Sequence, residues 1–122
     1  MTTKARLTKD DLAQFTGSER WFRSAMNPKL LYTEGAQYVA EAGQAYWLLD
    51  EIALAQRFVK SVAKTRFQVW TLKVGTDRTA ILRCEDGNGK QVYAHTIAFT
   101  DFPLDEISLW FAHNVVYLPG EH

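Results

Sequence analysis

The apolar residues of this chain change their period at Phe67, and that switch limits the folds open to it. Upstream, Leu48, Ile52, Ala55, Val59 and Val62 recur at steps of four and three, the spacing of one stripe along a helix. Downstream the step becomes two. Gln68, Trp70, Leu72 and Val74 fall on one side of an extended segment. Ala80, Leu82 and Cys84 share one side of the next, with Thr79, Ile81 and Arg83 on the other. Asp86-Gly87-Asn88-Gly89 is a turn sequence, and residues 91–99 return as a third strand. A connection containing Pro103 follows. Residues 107–112 are open to a helix turn or a strand, and the strand is favoured because Ile107, Leu109 and Phe111 alternate with Ser108, Trp110 and Ala112. His113-Asn114 supplies two residues that tolerate positive φ, so residues 115–118 close a two-residue hairpin. Helices first and strands afterwards imply an α+β fold, with N-terminal helices packed on a C-terminal antiparallel sheet of about five strands. The length suits a single domain over 1–122.

The helical half carries its own punctuation. Thr8 and Asp11 form a weaker variant of the capping box, flanked by Leu7 and Leu12 in staple positions, for a helix over 9–16 that Gly17 ends. Thr33 caps a helix over 34–42, and Gly43 ends it. The striped helix starts near Ala45 and is expected to bury Tyr46, Leu49 and Ile52; whether it runs unbroken past Gln56 is left open by the pattern. Between these helices Asn27-Pro28 marks a turn, and Trp21 and Phe22 require burial, but no regular element is legible there.

Nothing in the chain spells out a reaction. The glycines near Gly87 lie between strands, not ahead of a helix, so they make a turn and no phosphate cradle. His95 reads as a sheet-face histidine, His113 as a turn residue and His122 as the terminal one. The lone Cys84 rules out an internal disulfide, and the acids beside it, Glu85 and Asp86, oppose a reactive thiolate. Asp50 and Glu51 interrupt an apolar run. On a helix they diverge by about 100°, so they read as a polar face with one structural ion pair, Arg57 being a candidate partner. No metal site and no cofactor is expected. A single thiol, no apolar leader in the first residues and no apolar run near the ~20 residues of a membrane span lead to the expectation of a cytoplasmic protein, in a bacterium, with no membrane partner.

Charge is where the sequence points outward. Lys+Arg and Asp+Glu each number 14, yet they are unevenly placed. Residues 57–83 hold Arg57, Lys60, Lys64, Arg66, Lys73, Arg78 and Arg83 against Asp77 alone, while Lys90 is the sole base after residue 83. Arg57, Lys60 and Lys64, at i, i+3 and i+7, are expected to share a helix face, with Arg66, Phe67 and Trp70 close by. Trp110 and Tyr117 are expected to add an apolar patch at the last hairpin, flanking a short edge. The leading reading is a non-catalytic protein that binds another macromolecule, most simply a protein partner, through these residues. The first alternative is nucleic-acid binding by the basic 57–83 segment, which zero net charge disfavours. The second is an enzyme assembled from singletons such as Asp50 and His95. Homodimerisation is also open, with Asp101, Asp105 or Glu106 neutralising the basic stripe.

Several stretches resemble a family of small bacterial proteins classed as a domain of unknown function. They are residues 30–35 (LLYTEG), 45–53 (AYWLLDEIA), 67–70 (FQVW), 85–89 (EDGNG), 100–104 (TDFPL) and 117–121 (YLPGE). The family carries Gly where this chain has Asn114. The resemblance implies no activity, ligand or catalytic residue. It implies an origin in phages, plasmids and other mobile elements, hence an accessory or inhibitory factor of such an element.

Overall fold

The computed structural model describes residues 7–15 and 20–121. The expected helix stop at Gly17 and the terminal His122 lie outside the described residues. In chain order the elements are α1 (Lys9–Ala13), β1 (Trp21–Arg23), β2 (Leu31–Thr33), α2 (Glu34–Ala42), α3 (Tyr46–Phe58), α4 (Lys60–Ala63), β3 (Gln68–Val74), β4 (Ala80–Asp86), β5 (Gln91–Ile97), β6 (Glu106–Ala112), β7 (Val115–Tyr117) and a closing 3₁₀ turn, Pro119–Glu121.

The five strands that follow the change of period are all present and pair antiparallel, with a bulge where Cys84 and Glu85 meet β5. The His113-Asn114 turn has φ of 53° and 63°, the two positive values of a type I′ hairpin. Two further strands correct the five-strand expectation. β1 pairs antiparallel with β2, and β2 runs parallel to β7, giving one seven-stranded mixed sheet in the order β1-β2-β7-β6-β3-β4-β5. The helices are therefore not all ahead of the strands: β1 and β2 precede α2. Strands this short show no alternation, and their pairing with β7 spans most of the chain, so a local pattern cannot reveal it.

One face of the sheet is covered by helices. Ala36, Val39 and Ala40 of α2, Leu48, Leu49, Ile52, Ala53 and Ala55 of α3, and Val62 of α4 are buried against Trp70, Leu72, Leu82, Cys84, Leu109, Phe111 and Val116. The apolar stripe thus points where expected, but the helix bearing it is broken. Val59 takes an extended conformation (φ −112°, ψ 106°) between α3 and α4. Two burial expectations fail. Tyr46 is 41% exposed and donates its hydroxyl to Glu41 Oε2 at 2.9 Å, and Trp21 is 57% exposed. Gly43 does end α2, yet its φ is −86° and the left-handed residue is Gln44. Glycine is needed at 43 for space, because a Cβ would sit 2.6 Å from Val39 O and 2.7 Å from the Phe102 ring. Among the described residues no helix is long and apolar enough to cross a membrane.

Candidate functional site

The β6–β7 hairpin tip, with His113 and Asn114 exposed, is flanked by three chain segments that are tied down around it. The first tie is polar. Gln68, fully buried at the start of β3, exchanges side-chain hydrogen bonds with Gln56 of α3 (2.7 and 2.9 Å), donates to the Val62 and Thr65 carbonyls, and accepts from the Trp70 indole. This knot brings the end of α3, and the loop after α4, back onto the sheet. The second is Asn27, whose amide donates to Ala53 O (3.2 Å) and whose Oδ1 accepts from the Lys29 N–H (3.1 Å), pressing the β1–β2 turn against α3. The third is Glu121. Its Oε1 accepts from Thr33 Oγ1 (2.7 Å) and Leu118 N (2.9 Å), and its Oε2 accepts from Gly35 N (3.2 Å). A Cβ at Gly35 would lie 2.5 Å from that carboxylate, so residue 35 has room only for glycine while Glu121 sits at the start of α2.

Around the tip opens a cleft of about 1350 Å³. Lys29, Gln56, Arg57, Arg66, Phe67, His113, Asn114, Trp21, Tyr117 and Glu121 are among the residues that line it. Arg57 lies over the Phe58 ring, 5.1 Å from its centroid, and donates to Met26 O at 3.0 Å. Lys29, Arg57 and Arg66 are exposed. Phe67 meets Trp110 edge-on at 5.4 Å, and Trp110 meets Tyr117 at 6.2 Å. Burial pushes the Tyr117 phenol above its ordinary pKa. Chemically, this is three exposed cations, of which Arg57 is held by the Met26 carbonyl, beside aromatic surface, with one carboxylate already tied to backbone and hydroxyl donors. Arginine holds its charge at any physiological pH, so the arrangement suits holding an anionic group.

The residues singled out from sequence divide. Arg57 and Arg66 line the cleft. Lys60, which opens α4, and Lys64, its C-cap, are exposed and do not, although Ala63 of α4 does; the extended Val59 interrupts the helix between Arg57 and these lysines. The expected continuous helix face is thus two surfaces. Trp110 and Tyr117 are half-buried, and their strands lie inside the sheet, not at an edge. None of the acids expected to neutralise the stripe does so: the one ion pair among the described residues joins Glu106 to Lys73 at 3.9 Å. Arg57 likewise leaves Asp50 and Glu51 unpaired by it. Those two diverge as their spacing requires. The Asp50 charge acts on Tyr32 and the Glu51 charge on Tyr93, and in each case burial first and the carboxylate second raise the phenol's pKa. His95 lies on β5, at the far end of the sheet from β2, whose Tyr32 feels the Asp50 charge, so no joint site forms between them. Cys84 is fully buried and its thiol is pushed up to about 12 by burial, then by Glu85 and Asp86. Among the described residues no group of three metal-binding side chains converges.

A family-level comparison takes in every residue of this cleft. The chain belongs to the DUF6876 family, a family of unknown function, whose model matches residues 6–122. Among curated proteins and among solved structures no match is found. Within this DUF6876 chain, Lys29, Trp21, His113 and Glu121 are site residues that sequence reasoning missed. Their one local signal is that TEG (33–35) and LPGE (118–121) both carry glycine beside an acid, and the fold joins these two stretches through Glu121 and Gly35.

Proposed function

We propose that this protein is a non-catalytic binding module that holds an acidic, aromatic-bearing segment of a protein partner in the cleft at the β6–β7 hairpin. The observation that carries the reading is the meeting of Lys29, Arg57 and Arg66 with Trp21 and Phe67 around one open cleft. Carboxylates of the partner would answer the cations, and its apolar side chains would cover the aromatic surface, as aromatic and arginine anchors do at interfaces. Such a protein would act in the bacterial cytoplasm as an accessory or inhibitory factor of a mobile element; the sequence resemblance supports this.

A second reading has its own observation. Trp21, more than half exposed beside cations, offers a stacking face for a base of single-stranded nucleic acid. Three cations on a chain of zero net charge favour the protein partner. The two separate by experiment. Random peptides displayed against the immobilised protein should enrich for Asp and Glu interleaved with aromatics, and Arg57→Glu with Arg66→Glu should abolish that enrichment. Tight, steeply salt-dependent binding of an oligothymidylate, with no peptide enrichment, would move the assignment to nucleic acid.

A further inference from the structure

β5 ends the sheet, with β4 as its only neighbour among the described residues. The Gly75 N–H donates to Thr79 O, which fixes the ladder's phase: Ile81 and Arg83 turn their backbone groups to β3, and Ala80, Leu82 and Cys84 turn theirs to β5. Their partners Ile97, His95 and Tyr93 answer them. The N–H and C=O of Ala94 and Thr96 therefore point off the sheet. The Val92 carbonyl lies on the same edge, and there the Ser61 hydroxyl of α4 reaches it at 2.7 Å. Beyond that contact, residues 94–96 are exposed.

Edge strands in stable monomers are usually short, or carry charge or proline. β5 is seven residues long, QVYAHTI, with no proline and no Lys, Arg, Asp or Glu. We propose that two copies of the chain pair antiparallel through this edge, about a twofold axis at His95, into one continuous sheet. Ala94 of each copy then bonds Thr96 of the other in both directions. The same register sets the Val92 end of one copy beside residues 98–101 of the second. The Val92 end carries α4 with Lys60 and Lys64, exposed and outside any ion pair among the described residues. The other end carries Phe99, 69% exposed, and the exposed Asp101. The edge is self-complementary: each copy offers an apolar ring and an acid where the other offers a helix and two lysines. That complementarity selects a second copy over an unrelated strand. This pairing is independent of the cleft, which lies at the hairpin tip.

Sedimentation and light scattering over a wide concentration range test it. The wild type should show a concentration-dependent monomer–dimer equilibrium. Ala94→Pro removes only an N–H that points off the sheet, so it should yield a monomer with an unchanged circular dichroism spectrum. If that variant loses its fold, Ala94→Lys makes the same test without altering the backbone. Cysteine pairs then read the register. At a twofold axis the two His95 residues face each other with Cα atoms about 4.5 Å apart, within disulfide range, while the two Thr96 residues do not face. His95→Cys should give a disulfide dimer under mild oxidation and Thr96→Cys should not; buried Cys84 stays out of the reaction. A wild type that is monomeric at every concentration overturns the proposal. So does a dimer that survives in both Ala94 variants, or equal cross-linking of both cysteine variants.

Discussion

Gln68 shows how much one buried polar side chain can organise. Sequence alternation places it on the core face with Trp70 and Leu72, and says nothing of why an amide belongs there. The structure supplies the reason: it completes the hydrogen bonding of Gln56, the Trp70 indole and the Val62 and Thr65 carbonyls. No buried side-chain polar atom among the described residues lacks a partner. Gln68→Leu keeps the volume and takes the partner from the Trp70 indole N–H, the Gln56 Oε1 and the Thr65 carbonyl, each costing about 1–3 kcal/mol when left unpaired; the Val62 carbonyl keeps its bond from the Thr65 N–H. The variant should lose roughly 3 kcal/mol or more in urea unfolding followed by tryptophan fluorescence, and a loss within error of zero would refute the knot. Cys84 makes the opposite case, a reactive residue silenced by place. With its thiol pushed up to about 12, it should resist a thiol reagent at pH 8 until the protein unfolds. Because folding disfavours the thiolate, Cys84 does not alter stability below the ordinary thiol pKa. Above it, the unfolded chain ionises first and stability falls as pH climbs toward 12. Rapid labelling of the native protein would contradict its burial.

Among the elements, legibility followed length and period. β3, β4 and β6 run seven residues each and bury alternate side chains, so their pattern was plain. β1 and β2 are three residues each and exist because β7 is there to pair with β2, information that no local window holds. The sequence leaves the helix's continuity past Gln56 open and does not locate the break at Val59, for another reason. The break has neither glycine nor proline, and Val62 stays fully buried on the far side of it, so the apolar stripe runs on while the helix does not. The exposed cations registered that break, since Arg57 and Lys60 end on different surfaces. The β6–β7 turn offers a test of element-scale reasoning. His113 and Asn114 both hold positive φ, a conformation that strains a side chain by about 1–2 kcal/mol and strains asparagine less. Asn114→Gly should therefore stabilise the protein by up to about 1 kcal/mol, seen as a rise in Tm. The Asn114 carbonyl that accepts from the Leu31 N–H is retained in the variant. A lower Tm would mean that the asparagine side chain itself has a part at the cleft mouth.

On the scale of the whole molecule, the decisive contact joins chain ends. β2 lies parallel to β7, and Glu121 reaches from the closing turn to Thr33 and Gly35 at the start of α2. The cleft exists because of this closure: Trp21 and Lys29 come from one end of the chain, His113 and Tyr117 from the other, and Arg57 and Arg66 from the middle. A site gathered from so many segments leaves no motif, which is why the sequence disclosed two of its cations and hid the third. The closure is also separable from the main sheet. β3, β4, β5 and β6 hold one another through long antiparallel ladders, whereas β1 and β2 are held by a two-residue register with β7, by Glu121 and by the bonds of Asn27 and Arg57 between their turn and α3. Glu121→Ala leaves the Thr33 hydroxyl and the Gly35 and Leu118 N–H groups without their acceptor. Amide exchange should then accelerate roughly 10- to 100-fold across β1, β2 and the first turn of α2, as the loss of about 1–3 kcal/mol of local stability requires. β3 and β4 should keep their protection, and peptide binding in the cleft should weaken in step, because Trp21 and Lys29 would no longer be held beside the hairpin. Uniform acceleration through β3 and β4 would instead show that the closure and the main sheet unfold as one unit.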